Sequence, residues 1–266
     1  MSAASARHGA MPEGLAASLQ VLTAERSWYL PYPARALRVS RLPLSVSLGD
    51  SRFTPRGVEL HIEEEDLSLR GVLRYGPLTV LRSDIMGPFR FLAGMQCVHG
   101  VLSMGHTLEG QLTLNGAVLD FTGGRGYLET DRGRSFPARY LWTQSLWEGN
   151  SLMLAAATVP LPAGSFTGCI CAIIHGSREF RLASYRGARL VSWSPRGAVV
   201  RQGPYRLEAA LLEGRGRPLR APVEGSMDRT VHESPEARVE YRFRRGRELL
   251  FHHTDPHAAF ECAFDP

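Results

Sequence analysis

The sequence predicts an all-β fold built from antiparallel strands in barrels or sandwiches. Three observations carry that expectation. Short segments alternate apolar and polar residues along most of the chain, the side-chain period of a half-buried strand. The punctuation between them is rich in turn formers, with 27 glycines and 17 prolines in 266 residues. Helical periodicity is not convincing over any window of about 11 residues.

Taken in order, Val58–Ile62 and Leu67–Tyr75 alternate over most of their length. Gln111–Leu114 meets Ala117–Phe121 across Asn115-Gly116, the strongest short-range hairpin signal because both residues tolerate positive φ. Gly168–His175 is almost continuously apolar and turns at Gly176-Ser177 into Arg178–Leu182. Ala188–Trp193 pairs with Ala198–Gln202, and Arg238–Arg244 pairs with Glu248–His252 across Arg245-Gly246-Arg247. Tyr205–Glu213 and Ala258–Phe264 complete the set, about a dozen strands or more.

So many strands leave exposed edges unless the sheets close, and a barrel of about eight strands holds one small ligand. Two lipocalin-like halves are therefore expected, with the join between Trp147 and Gly164. The expected organisation is a poorly ordered or misassigned N-terminus over 1–17, an N-terminal lipocalin-like half over 18–155 and a C-terminal β-barrel half over 156–266.

Composition excludes several function classes. No run of the ~18 apolar residues that a spanning helix needs is present, and the first 20 residues lack a secretory apolar core. A cytoplasmic protein is expected. The net charge of +5 comes from arginine alone, because the chain has no lysine. Its arginines are spread out, without a basic helix or interleaved stacking aromatics, so nucleic acid is not an expected partner. Peripheral attraction to anionic lipid headgroups suits the basic surface better. Cys97, Cys169, Cys171 and Cys262 fit neither a disulfide framework nor a metal framework and read as buried free thiols.

The chemistry-bearing stretch is Gly123–Gln144, GGRGYLETDRGRSFPARYLWTQ. Gly124, Gly126, Tyr127, Glu129, Gly133, Ser135, Phe136, Pro137, Trp142 and Gln144 resemble the signature of the tocopherol cyclase family, with Arg132 where that pattern has tryptophan. Arg74–Pro77, Asp84–Phe89, Cys97–Met104, His106–Gly110, Phe166–Cys171 and Arg229–Ser234 are similar to its bacterial branch, and the resemblance covers about Ser18 to Phe264. The family's aromatic-rich opening segment is not found before Gln20, so either the gene start is misplaced or the first strand is missing, which would leave the first barrel with an open edge. The family is related in fold to carotenoid hydratases and lipocalin-like proteins. The resemblance implies closure of a chromanol ring, by adding a quinol hydroxyl across a prenyl double bond, with no cofactor and a hydrophobic small-molecule substrate.

Such a step needs a proton for an alkene carbon, a pocket that tolerates a tertiary cation and exclusion of water. Glu129 and Asp131 stand at i and i+2, so on a strand they share a face with Tyr127. Two carboxyls in an apolar cavity raise each other's pKa and can hold one proton between them. Asp131 or Glu129 is the expected donor. The competing structural reading pairs them with Arg125, Arg132, Arg134 or Arg139. His99 is a further catalytic candidate, since imidazole donates protons near neutral pH. His106 lies on the opposite face of an unbroken strand from His99. Tyr127, Phe136, Trp142 and Gln144, with His106 and Asp84, are the candidates for lining the pocket. Asp84, before the Gly87-Pro88 turn, equally suits a cap on backbone amides. His252, His253 and His257 lack zinc spacing, so no metal is expected, and Ser135 lacks the glycine-flanked elbow of a hydrolase. A non-catalytic carrier of an isoprenoid or quinone ligand and an isoprenoid alkene hydratase are the other readings.

Overall fold

The computed structural model describes residues 2–3, 16–92, 95–161 and 164–264. The expectation for residues 1–17 falls mostly outside them. The described residues are mostly strands joined by turns, with a long connection between Tyr75 and Cys97 and 3-10 turns at Ala34–Ala36, Gly87–Phe91 and Ser184–Arg186. The all-β reading of the sequence holds.

By internal contacts the chain divides into two compact units on interleaved segments. The first takes Met1–Leu22, Ser27–Thr79 and Gly105–Tyr127, and the second takes Thr23–Arg26, Val80–Met104 and Leu128–Pro266. The position between 155 and 156 lies inside one strand, Asn150–Leu161.

The first unit contains β1 (Ser2–Ala3), β2 (Ala16–Leu22), β3 (Ser27–Pro33), β4 (Leu37–Arg41), β5 (Leu44–Leu48), β6 (Ser51–Thr54), β7 (Gly57–Glu64) and β8 (Leu67–Tyr75). Long strands β9 (Cys97–Leu114) and β11 (Gly124–Gly133) run through both units, with β10 (Ala117–Asp120) between them in sequence. β1 to β3 form a three-stranded sheet, and an eight-stranded sheet runs β10-β9-β8-β7-β6-β5-β4 with β11 paired to β9. Asn115 takes positive φ in the hairpin that its Asn-Gly step predicts. Alternation dictates the core. Leu19 and Val21 of β2, Trp28 and Leu30 of β3, and Val58, Leu60 and Ile62 of β7 face inward with Leu69, Leu73 and Leu112.

The second unit is a ten-stranded antiparallel sheet. Its strands are β12 (Arg139–Trp147), β13 (Asn150–Leu161), β14 (Gly164–His175), β15 (Arg178–Ala183), β16 (Arg189–Ser194), β17 (Gly197–Gln202), β18 (Tyr205–Glu213), β19 (Arg217–Val223), β20 (Ser226–Arg245) and β21 (Glu248–Phe264). The order is β15-β14-β13-β12-β21-β20-β18-β17-β16, with β19 also on β20. Neither the eight-stranded nor the ten-stranded sheet returns to its first strand through backbone ladders among the described residues, so the expected closed barrel is not formed that way. Part of the reason in the second unit is the 3-10 turn after β15. There the Gln202 side chain joins β17 to β15 instead: Ala183 N–H donates to Oε1 at 3.0 Å, and Nε2–H donates to the Arg181 carbonyl at 3.1 Å.

One face of this sheet is a packed core. Leu141, Leu152, Leu154, Cys171, Phe180, Val200, Leu207, Tyr241, Phe243 and Phe260 converge there from almost every strand. On that face these side chains pack against one another. The chemistry lies on the other face.

Candidate functional site

Alternation puts Tyr140, Trp142 and Gln144 of β12 on the face opposite Leu141 and Thr143. Register extends that face across the sheet. Trp142 stands opposite Ala155 on β13 and Glu261 on β21, and Glu261 stands opposite Glu233 on β20. Ala157 faces Tyr140 in the same way, so Ala155 and Ala157 place only methyl groups beside two large rings.

Against β11 and the start of β9, His99, Glu129 and Asp131 converge, all in the second unit. His99 Nδ1 lies 2.9 Å from Asp131 Oδ1, and Nε2 lies 3.4 Å from Glu129 Oε2. The alternation that puts Glu129 and Asp131 on one face lets both reach a single imidazole. Cys97 Sγ–H donates to the same Asp131 oxygen at 3.3 Å. His99 keeps only 11% of its side-chain surface, against 27% for Glu129 and 29% for Asp131. Its Nε2 is buried without a hydrogen bond of good geometry.

The electrostatics follow from that packing. Burial alone would push His99 below its ordinary value, but Glu129 and Asp131, helped by Asp84, reverse the sign and raise it to about 9. The ring is an imidazolium at neutral pH. Burial and then Asp131 drive Cys97 far upward, so it remains a thiol donor. The three ligand-type atoms of His99, Glu129 and Asp131 lie within 4.8 Å of one another, a set that could also gather around a divalent cation.

Two members of this region gave no warning in their own motifs. Tyr140 donates its phenolic hydrogen to Glu261. Desolvation, then Glu233, with Glu129 and Asp131 in the same sense, raises the Glu261 carboxyl to about 8 against the opposing Tyr140 bond. Burial raises Glu233 as well. Like charges directly opposite on neighbouring strands repel, and a shared proton relieves the repulsion. The available signal was Glu261 itself, one carboxylate inside the otherwise apolar Ala258–Phe264.

The remaining candidates disperse. Asp84 accepts Met86 N–H at 2.8 Å and pairs with Arg90 at 2.9 Å, the capping arrangement, while its charge also acts on His99. Phe136 packs edge-on to Tyr140 with centroids 6.0 Å apart. Gln144 is buried, and its Nε2 makes no hydrogen bond. Tyr127 and His106 belong to the first unit. There His106 packs on Tyr75 at 4.6 Å, and burial lowers its pKa. Of the arginines expected to neutralise the acids, none forms a described ion pair with Glu129 or Asp131; Arg139 lies over Trp193 and Phe264.

The glycines of the motif have steric causes. A Cβ on Gly126 would sit 2.4 Å from His106 Nε2, and one on Gly133 would sit 1.9 Å from the Gln96 carbonyl oxygen. Both let β11 approach β9 more closely than a side chain permits.

No protein-family model matches the chain, and no curated protein matches it in sequence. Solved structures do. A protein from Nitrosomonas europaea described as an AttH aligns with TM-score 0.54 at 14% identity, over 90% of this chain and 77% of that one. Kievitone hydratase from Nectria haematococca aligns with TM-score 0.55 at 12% identity, over 94% of this chain and 82% of its own. At such identities the likeness is one of fold alone, an all-β chain of antiparallel sheets.

Proposed function

We propose that the chain catalyses proton-initiated addition of an oxygen nucleophile to a prenyl-type double bond, with His99, Asp131 and Glu129 as the acid–base centre. The observation that carries this reading is the buried imidazolium held between two carboxylates. Asp131 accepts from both His99 Nδ1–H and Cys97 S–H, which makes it the residue that orients the ring. His99 Nε2–H is then the better donor than either carboxyl.

In the reaction, the alkene must reach Nε2, itself closed to solvent, past the part-exposed Glu129 and Asp131 side chains; its π pair then takes the Nε2 proton and leaves a tertiary carbocation. An oxygen lone pair closes on that carbon, and the oxygen's proton passes to Glu129 and back to His99. After the first transfer the imidazole is neutral and two carboxylates face the cation, the field that stabilises it. Tyr140 and Trp142 add aromatic faces of the same sign.

Capture by a hydroxyl of the substrate gives ring closure, the outcome that the tocopherol cyclase resemblance implies. Capture by water gives hydration. More than a quarter of the Glu129 and Asp131 side chains is solvent-accessible, which favours water as the nucleophile. The fold likeness to a protein named as a hydratase points the same way.

The test is incubation with a prenylated benzoquinol and mass-resolved chromatography of the product. An isomer of unchanged mass identifies ring closure, and a product heavier by one water identifies hydration. Both should vanish in His99→Gln. Saturable binding without any product would replace this reading with the carrier.

A further inference from the structure

We infer that the β4–β5 hairpin is a docking finger for an anionic lipid surface. The inference stands on the hairpin alone and is independent of the reaction proposed above. β4 and β5 pair Leu37 with Leu48, Val39 with Val46 and Arg41 with Leu44. Paired residues share a face, so these apolar side chains form one row. At its base the row belongs to the core: Leu48 is 3% exposed, and Leu37 packs against the same cluster. Toward the tip it runs past the core. Val39 is 36% exposed, Leu44 49% and Leu42 95%. A leucine presented almost whole to solvent at the end of a hairpin has no role in packing this unit.

Charge says what covers the tip. Arg35, Arg38 and Arg41 are all exposed, and no acidic residue occurs from Ala34 through Leu48. Among the described residues none of the three arginines is in an ion pair. Arg52 at the base, by contrast, stands opposite Glu59 on β7. Arginines on an edge strand also discourage sheet pairing, which accounts for Arg38 but not for an exposed Leu42 and Leu44 beside it. An apolar tip with a basic collar and no acid matches a bilayer whose headgroups are negative, where the leucines enter the acyl boundary and the guanidinium groups remain with phosphates.

Flotation with phosphatidylcholine vesicles, with and without phosphatidylglycerol, tests this. The wild-type chain should bind only the vesicles that contain phosphatidylglycerol, and less at high salt. Leu42→Asp should lower the partition by about tenfold or more. Arg38→Ser with Arg41→Ser should lower it by roughly 5-fold for each arginine and flatten the salt dependence. Leu249→Asp removes another exposed leucine, beside Arg245 and Arg247, and should change nothing. The substitutions lie at solvent-facing positions, and unchanged far-ultraviolet circular dichroism confirms folding. Equal binding by all variants, loss caused by Leu249→Asp, or absence of vesicle binding overturns the inference. So does a Leu42-dependent dimer seen by sedimentation without lipid, which would make a second copy the occupant.

Discussion

Tyr140 on β12 reaches diagonally across the ladder to Glu261 on β21 and donates its phenolic hydrogen to that carboxyl. The bond favours ionised Glu261, yet desolvation and the facing Glu233 outweigh it. A folded-state pKa of about 8, above the ordinary carboxyl value, has a definite consequence for stability. Between about pH 4.5 and 8 the folded chain binds more protons here than the unfolded one, so stability falls as pH rises. Glu261→Gln removes the titration and keeps the shape. Denaturant unfolding at about pH 8.5 should find this variant more stable by roughly 4 kcal/mol, with the gain shrinking as pH falls from about 8 and gone below about pH 5.

His99 titrates in the same sense at higher pH, although its ionised form is the stabilised one. Its pKa rises on folding to about 9, so its contribution is complete below about pH 6.5 and is lost as pH climbs through 9. A rise from 6.5 to about 9 corresponds to roughly 3 kcal/mol. Thermal unfolding of the wild type between about pH 6 and pH 9.5 should fall more steeply than that of His99→Gln. Parallel curves would mean that the imidazolium is not paired as described.

Asp131→Asn removes a charge while leaving a group of similar shape against Nδ1. The His99 titration, followed by imidazole proton resonances, should move downward, because one of the two facing carboxylates is gone. Turnover on an accepted substrate should drop by about 10²–10⁴-fold. A fall in turnover without movement of the titration would assign Asp131 a role other than orienting His99.

Gly133→Ala should be severe. Its Cβ would meet the Gln96 carbonyl oxygen at 1.9 Å and Cys97 Cα at 2.8 Å, and backbone cannot swing aside as a side-chain end can. The strands must separate at the point where Cys97 and Asp131 meet. A loss of several kcal/mol in unfolding free energy is expected, beyond the ~1–3 kcal/mol usual for overpacking.

Period-two alternation made the later strands legible, and the Asn115-Gly116 hairpin needed nothing more than its two turn residues. Glu129 and Asp131 could be placed on one face because an i, i+2 spacing is a property of any strand. That His99 would lie against them depends on how β9 meets β11, a long-range register that no local pattern encodes. Glu261 was invisible for a related reason: its partners Tyr140 and Glu233 are set by the β12–β21 and β20–β21 ladders. The packed core of the second unit was not legible because alternation reports that a face is apolar, not whether Tyr241, Phe243 and Phe260 pack together on it.

β12 finds its neighbour β21 only after more than a hundred intervening residues have been made, since Trp142 pairs with Glu261. During synthesis β11 can already offer Glu129 and Asp131 while Glu261 is still within the ribosome. Closing so long a loop is slow and entropically costly. The acidic face is thus assembled last, and a nascent or C-terminally clipped chain would carry the imidazole without the carboxyl behind it.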